Sequence, residues 1–256
     1  MSVICDPDHA RRVLSTGHGP SGTPLLSVVM PVYNEKATIR EIVTAVLAAP
    51  VASRELVIVD DASTDGTRSI LRDETEKLED VRVIYHDRNR GKGAALRTGF
   101  SCVRGDYVIV QDADLEYDPR EYPRLLEPLV LDQADAVFGS RFSSGPHRVL
   151  CFWHALGNHL LTTVSNMATN LDLTDMETCY KVFRRELIQS IPIEEDRFGF
   201  EPEITAKLAR AGARIWEVPI SYRGRSHREG KKIGFKDALR ALYCTAKYAL
   251  ARPGPW

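Results

Sequence analysis

Continuous apolar runs of strand length alternate with helical periodicity through the first half of this 256-residue chain. Leu25 to Val32 reads as a buried strand, followed by a helix from Lys36 to Ala49 that Pro50 closes. Glu55 to Val59 is the second strand, and Ser63-Thr64-Asp65-Gly66 is a turn and cap before an amphipathic helix from Thr67 to Leu78. Val81 to Tyr85, a helix from Gly91 to Val103, Tyr107 to Val110, a helix from Pro119 to Leu131 and Ala134 to Phe138 complete the alternation, with Pro119 suited to a first helical turn. Five buried strands separated by helices predict an α/β fold, a Rossmann-like, mostly parallel sheet with helices on both faces. Such sheets bind ligands at the carboxyl ends of their strands.

After residue 140 the alternation stops. Val149, Phe152, Trp153, Leu156, Leu160 and Val164 lie on one helix face, and Phe235, Ala238, Leu239, Leu242, Ala246 and Leu250 on another, giving two C-terminal amphipathic helices. Both stripes are expected to pack on the protein in preference to a membrane. Residues 1–24 end in a Gly/Ser/Thr/Pro cluster and read as a flexible extension, 25–248 as one folded domain and 249–256 as a tail.

Charge narrows the function classes. With 34 Lys and Arg against 35 Asp and Glu and a pI near 6.7, the chain lacks the basic excess of a dedicated nucleic-acid binder. No apolar run is long enough to span a bilayer, and Asp6, Asp8 and His9 interrupt the segment where a signal peptide needs an apolar core. The expected location is cytoplasmic. The five cysteines are odd in number and include no C-x-x-C pair, so they read as thiols in a reducing compartment.

The strand-end loops carry the chemistry. The fourth strand runs into Gln111-Asp112-Ala113-Asp114-Leu115-Glu116, and positions i and i+2 of extended backbone point the same way, so Asp112 and Asp114 can present two carboxylates to one point. Two carboxylates with diphosphate oxygens suit Mg2+ or Mn2+. Val59-Asp60-Asp61 and Pro31-Val32-Tyr33-Asn34-Glu35 end the second and first strands, where carboxylates can accept from ribose hydroxyls or a base edge and Tyr33 offers a stacking face. Equally, Asp61 and Ser63 can simply shape the turn. Asn89-Arg90-Gly91-Lys92-Gly93 opens a helix but lacks both the dinucleotide and the Walker spacing, so a helix-start turn is preferred there over phosphate binding.

Taken in order, P-V-Y-N-E, V-D-D-A-S-T-D-G-T, N-R-G-K-G-A-A-L, D-A-D-L-E and Gly139-Ser140-Arg141-Phe142 resemble the family 2 glycosyltransferases of the GT-A fold. The likeness is greatest to the branch that makes polyprenyl-phosphate or dolichyl-phosphate sugars, and runs from about Leu25 to about Ala246. It implies that Pro31, Tyr33, Glu35, Val59, Asp61, Asp112 and Ala113 contact a nucleotide-diphosphate sugar, and that Asp112 and Asp114 hold a metal with Glu116 as a further ligand. Arg141 matches an arginine for the acceptor phosphate, with His154 and Asn158 nearby. Asp175 matches a segment beside the sugar. Arg225 and Lys231 have the spacing of a basic loop over the donor, with Arg223, Arg228 and Lys232 as competitors, within a stretch from Arg223 to Arg240 whose seven Lys and Arg against two Asp and Glu suit a diphosphate, an anionic lipid surface or solvation.

The resemblance implies inverting, in-line displacement at the anomeric carbon, with Asp114, Arg141 and Asp175 as the catalytic set. A phosphate monoester is largely ionised at neutral pH and attacks without a base. The lipid acceptor implies a protein peripheral on the cytoplasmic membrane face. A hydroxyl of a glycan would instead need a base, from Glu201 or Glu203. A catalytically silent nucleotide-sugar-binding scaffold is the rival of another class, against which the intact D-A-D and Arg141 weigh.

Overall fold

A computed structural model describes residues 26–143, 152–224 and 235–250. The strands are β1 (Leu26–Val32), β2 (Arg54–Asp60), β3 (Val81–Tyr85), β4 (Tyr107–Val110), β5 (Ala136–Ser140), β6 (Lys181–Arg184) and β7 (Ile215–Pro219). They form one sheet in the order β3-β2-β1-β4-β6-β5-β7. Neighbours are parallel except β6, which runs antiparallel to both β4 and β5. The expected mostly parallel α/β sheet is therefore present, with two strands beyond the five predicted.

Those two strands escape an apolar reading for physical reasons. Lys181 lies in β6 with its side chain fully buried over the Phe138 ring, at 4.5 Å, so a charge interrupts the pattern. In β7, an edge strand, Trp216 is exposed and Glu217 replaces an apolar residue. The predicted fifth strand is displaced to Ala136–Ser140, and Asp135 just before it accepts on its side chain from the Arg214 amide and guanidinium.

The helices are α1 (Ile39–Leu47), α2 (Thr67–Ile70, running into a π turn at Leu71–Thr75), α3 (Lys92–Phe100), α4 (Tyr122–Val130, after a 3-10 turn at Pro119–Glu121), α5 (Phe152–Thr169), α6 (Arg185–Ser190), α7 (Phe200–Arg210) and α8 (Phe235–Ala249). The core lies on the sheet: Val28, Ile58, Ile109, Val137 and Val182 have no exposure, and burying each such side chain contributes about 1.5–3 kcal/mol.

The two C-terminal stripes do not pack as expected. α5 turns Thr162 and Ser165 inward and leaves Phe152, Trp153, Leu156, Leu160 and Met167 exposed, Trp153 at 76% and Met167 at 82%. α8 buries Ala241, Cys244, Thr245 and Tyr248 and exposes Leu239 and Tyr243, and Leu250 just beyond it is exposed as well. α5, α7 and α8 contact one another, with Ala206, Cys244 and Tyr248 forming a buried cluster, while the exposed apolar residues just named face outward. Among the described residues no helix is long and apolar enough to cross a membrane.

Candidate active site

The loops after β1 and β2 are laced together. Asn34, at φ +55°, donates its amide to Ser63 Oγ at 3.0 Å and accepts from the Thr64 amide at 2.8 Å. Pro31 pairs in register with Val59, whose side chain is fully buried, so Val59 can offer a ligand only its backbone. Tyr33 is 38% exposed. Glu35 accepts from Thr38 Oγ1 at 3.1 Å.

Asp61 is buried and held on three sides. Its Oδ1 accepts from His86 Nδ1 at 2.7 Å and the Arg90 amide at 2.9 Å, and its Oδ2 from the Gly91 amide at 2.7 Å. These bonds join β2 to the third loop and use the amides that a phosphate would need. Gly91, at φ +101°, has no room for a Cβ against the Asp196 carbonyl, and Gly93 none against that of Glu195. The G-K-G segment is thus the helix-start turn the sequence suggested, packed on the 195–197 backbone.

Gln111 fixes the end of β4. Its Oε1 accepts from Tyr122 and Tyr180 hydroxyls at 2.7 and 2.8 Å, and its Nε2 donates to the Asp112 carbonyl at 2.9 Å. Beyond it, Asp112 lies 3.0 Å from Lys92 Nζ, which also sits 3.0 Å from Glu201 Oε1. Burial opposes the charge on Lys92, but Asp112 and Glu201 outweigh it and hold the ammonium well above its ordinary pKa. Ala113 is buried between the two aspartates, and Asp114 Oδ1 accepts from the Glu116 amide at 3.2 Å.

Glu116, the third expected metal carboxylate, accepts from the Tyr222 hydroxyl on its Oε2 at 2.6 Å. Among the described residues no three His, Cys, Asp or Glu side chains converge as a metal cage. Asp112 and Asp114 remain as a pair of hard oxygen donors, and Mg2+ is commonly held by one or two carboxylates with substrate phosphates supplying the rest. The residues present fit a cation that arrives with a diphosphate.

Arg141, at the end of β5, forms the other half. Its Nε and Nη2 donate to Asp175 Oδ2 and Oδ1 at 2.6 and 2.7 Å, its amide donates to Oδ2 at 3.0 Å, and Nη2 also reaches Asn158 Oδ1 at 3.1 Å. Burial disfavours the guanidinium charge, but Asp175 more than restores it. Asp175 itself has no exposure, so its carboxylate serves Arg141 and not the open cleft. Glu217 on β7 accepts from the Thr174 and Asp175 amides at 2.9 and 3.0 Å and holds that segment in place. Tyr222 joins the two halves, its ring 5.1 Å below the Arg141 guanidinium while its hydroxyl bonds Glu116.

Of the two acids weighed as bases, Glu203 is ruled out by its bonding. It is fully buried, with Lys207 Nζ at 2.6 Å and the amides of Glu194 and Glu195 at 2.7 and 2.8 Å on its two oxygens. Glu201 keeps a buried Oε2 without a hydrogen-bond partner. Glu177 also has such an oxygen, and burial next to Glu201 pushes its carboxyl up to about 8. Arg225 and Lys231, and the His154 side chain, lie outside the described residues.

Sequence reasoning missed Lys92, His86, Tyr222 and Glu217 as parts of the site. A lysine directly after a glycine at a helix start was the one available signal. The other three act through contacts across the sheet that no local pattern records.

The site is thus a strand-end pair of carboxylates facing a buried cationic group, on the sheet edge where nucleotide-binding α/β proteins hold ligands. The chain belongs to Glycosyl transferase family 2, whose profile matches residues 27–191. It is 32% identical over 226 residues to an undecaprenyl-phosphate 4-deoxy-4-formamido-L-arabinose transferase of Aeromonas hydrophila, covering 86% of this chain and 66% of that protein. It is 29% identical over 239 residues to the low-salt glycan biosynthesis hexosyltransferase Agl6 of Haloferax volcanii, covering 90% of this chain and 56% of that one. The chain thus spans less than two thirds of the length of these relatives. Glucosyl-3-phosphoglycerate synthase from Mycobacterium tuberculosis, crystallised with Mn2+, UDP and glucosyl-3-phosphoglycerate, superposes with a TM-score of 0.70 at 21% identity, over 90% of this chain and 81% of that one. Mannosyl-3-phosphoglycerate synthase from Rubrobacter xylanophilus gives 0.70 at 23%, over 96% and 76%. These likenesses establish the GT-A fold.

Proposed function

We propose that this chain transfers a hexose, with inversion, from a nucleotide-diphosphate sugar to a polyprenyl phosphate. The observation that carries the reading is Tyr222, which touches both Glu116 in the acidic loop and Arg141, so that a donor half and an acceptor half form one site. The names of the undecaprenyl-phosphate relatives support the acceptor class.

In this reading Tyr33, Glu35, Asp61 and the backbone at Pro31, Val59 and Ala113 hold the nucleotide, with Arg225 and Lys231 closing over the donor. Asp112 and Asp114 would hold Mg2+ or Mn2+, which when bound offsets the charge of the departing diphosphate. Lys92 adds a positive charge beside Asp112. Arg141, with Asn158 and His154, binds and orients the acceptor phosphate, and Asp175 keeps the guanidinium in its fork geometry. An ionised phosphate needs no proton removed, so no side chain acts as base.

The outward apolar rows of α5 and α8 support peripheral contact with a lipid surface, because α5 carries no Asp, Glu, Lys or Arg from Phe152 to Thr169. A cytoplasmic membrane face is the location this reading implies.

The unpartnered Glu201 Oε2 supports a second reading, in which Glu201 takes a proton from a glycan hydroxyl. Nucleotide release with a panel of donor sugars, measured with polyprenyl phosphate or a soluble glycan, separates the two. The first reading expects turnover on the lipid phosphate that survives Glu201→Gln in part; turnover on the glycan alone, abolished by Glu201→Gln, establishes the second. No turnover with any donor and either acceptor would leave a binding scaffold.

A further inference from the structure

The Gly91-Lys92-Gly93 turn rests on backbone contributed by a distant part of the chain. The Ala94 amide donates to the Asp196 carbonyl at 3.0 Å, and the Asp196 and Glu195 carbonyls press so closely on Gly91 and Gly93 that neither glycine has room for a Cβ. Close-packed contacts of this kind transmit displacement. A shift of residues 195 and 196 therefore shifts the turn, and with it the Lys92 ammonium 3.0 Å from Asp112.

Residues 193–196 are gripped by α3, α7 and α8. Arg97 on α3 donates to the Ile193 carbonyl at 3.0 Å and to Asp196 Oδ1 at 2.7 Å, and Glu203 on α7 accepts from the Glu194 and Glu195 amides. The grip of α8 is on the Glu195 side chain. Arg240 Nη2 and Nε donate to its Oε2 at 2.6 and 3.0 Å, and the Tyr248 hydroxyl donates to its Oε1 at 2.8 Å. Burial opposes the charge on Glu195, but Arg240 and Tyr248 outweigh it and hold the carboxyl below its ordinary pKa. The transfer reaction proposed above makes no use of this carboxylate.

We propose that Glu195 is a positioning residue for the donor half of the site: through it α8 fixes the 195–196 backbone and so the place of Lys92 beside Asp112. This rests on the transfer reading, in which Lys92 is a positive charge beside the cation-binding carboxylates. The acceptor half hangs on other supports, Asn158 on α5 and Glu217 on β7, so the effect belongs to the donor.

Isothermal titration with UDP and with GDP, each with Mg2+, tests this in a double-mutant cycle of Arg240→Ala and Lys92→Met. The Arg240 side chain is 52% exposed, and its loss is expected to weaken nucleotide binding about three- to tenfold in the wild-type background. In Lys92→Met the same substitution is expected to cost less than about twofold, because the charge it helps to place is gone. A merely structural role for the Arg240–Glu195 pair gives the same loss in both backgrounds, and that additivity overturns the inference. Arg240→Lys, which keeps the charge on Glu195, is expected to recover part of the affinity. Steady-state kinetics gives a second readout: Arg240→Ala is expected to raise KM for the nucleotide sugar by about threefold or more and to leave KM for polyprenyl phosphate within about twofold. An equal rise in both also overturns the inference, and this split decides if Lys92→Met does not fold. If Arg240→Ala does not fold, Glu195→Gln takes its place in both experiments. A wild-type chain that binds neither nucleotide removes the transfer reading and the inference with it, whereas binding with an additive cycle removes the inference alone.

Discussion

Arg141 and Asp175 form a buried pair to which the proposed function gives a role beyond structure. The two side chains are 15% and 0% exposed, and removing one partner of a buried pair leaves an uncompensated charge at a cost of about 3–5 kcal/mol. Arg141→Ala is therefore expected to lower stability as well as activity. Arg141→Lys keeps the charge but loses the bidentate fork. It is expected to slow transfer to a lipid phosphate while leaving nucleotide affinity nearly unchanged, which calorimetry with the donor checks; a large loss of donor affinity would move Arg141 to the other half of the site. Asp114→Ala is expected to lower kcat/KM by about a hundredfold or more, and excess EDTA to stop the wild type. Undiminished turnover in either case contradicts the two-carboxylate cation site. Glu177 gives a pH prediction. Its native carboxyl is pushed up to about 8 from an ordinary 4.5, first by burial and then by Glu201, so the folded state binds the proton more tightly and this contribution is lost as pH rises through 8. The melting temperature should fall between pH 6 and pH 8 by less in Glu177→Gln than in the wild type, and an identical fall in both would refute the assignment.

Helices α5 and α8 carry the account at the scale of elements. Their stripes were legible from the spacing of Phe152, Leu156 and Leu160 and of Leu239 and Leu250, but the direction they face was not. Periodicity states that a helix has two faces and leaves open which is inside. Here small and polar residues such as Thr162, Ser165 and Cys244 fill the inner contacts, and Asn158 reaches Arg141. Replacing Phe152 and Trp153 by Ser together is expected to leave melting nearly unchanged, since both are exposed, and to reduce co-sedimentation with anionic liposomes at low salt. Equal sedimentation of wild type and variant would remove the lipid-facing assignment. Strand β6 was hidden for the opposite reason, since Lys181 is buried by donating to the Met176 and Thr178 carbonyls at 2.8 and 2.6 Å, a pairing that only the folded loop supplies.

At the scale of the molecule, the parallel strands and the strand-end acids followed from local pattern, because buried strands and their loops are contiguous in sequence. Contacts made across the sheet did not. Lys92 meets Glu201 across a sequence separation of 109, and Tyr222 meets Glu116 across one of 106. Such pairs exist only once β6 has paired with both β4 and β5 and brought Arg141, the 174–180 segment and the D-A-D loop to one sheet edge. The central claim is that this edge joins a sugar to a lipid phosphate. Its most direct test is to incubate the chain with a nucleotide-sugar panel, Mg2+ or Mn2+ and a polyprenyl phosphate in detergent, and to identify the lipid product by mass spectrometry and its anomeric configuration by NMR. The expected product is a polyprenyl monophosphate bearing one hexose, with configuration inverted from the donor. A retained configuration, or sugar found only on a glycan hydroxyl while the lipid phosphate stays unmodified, would contradict it.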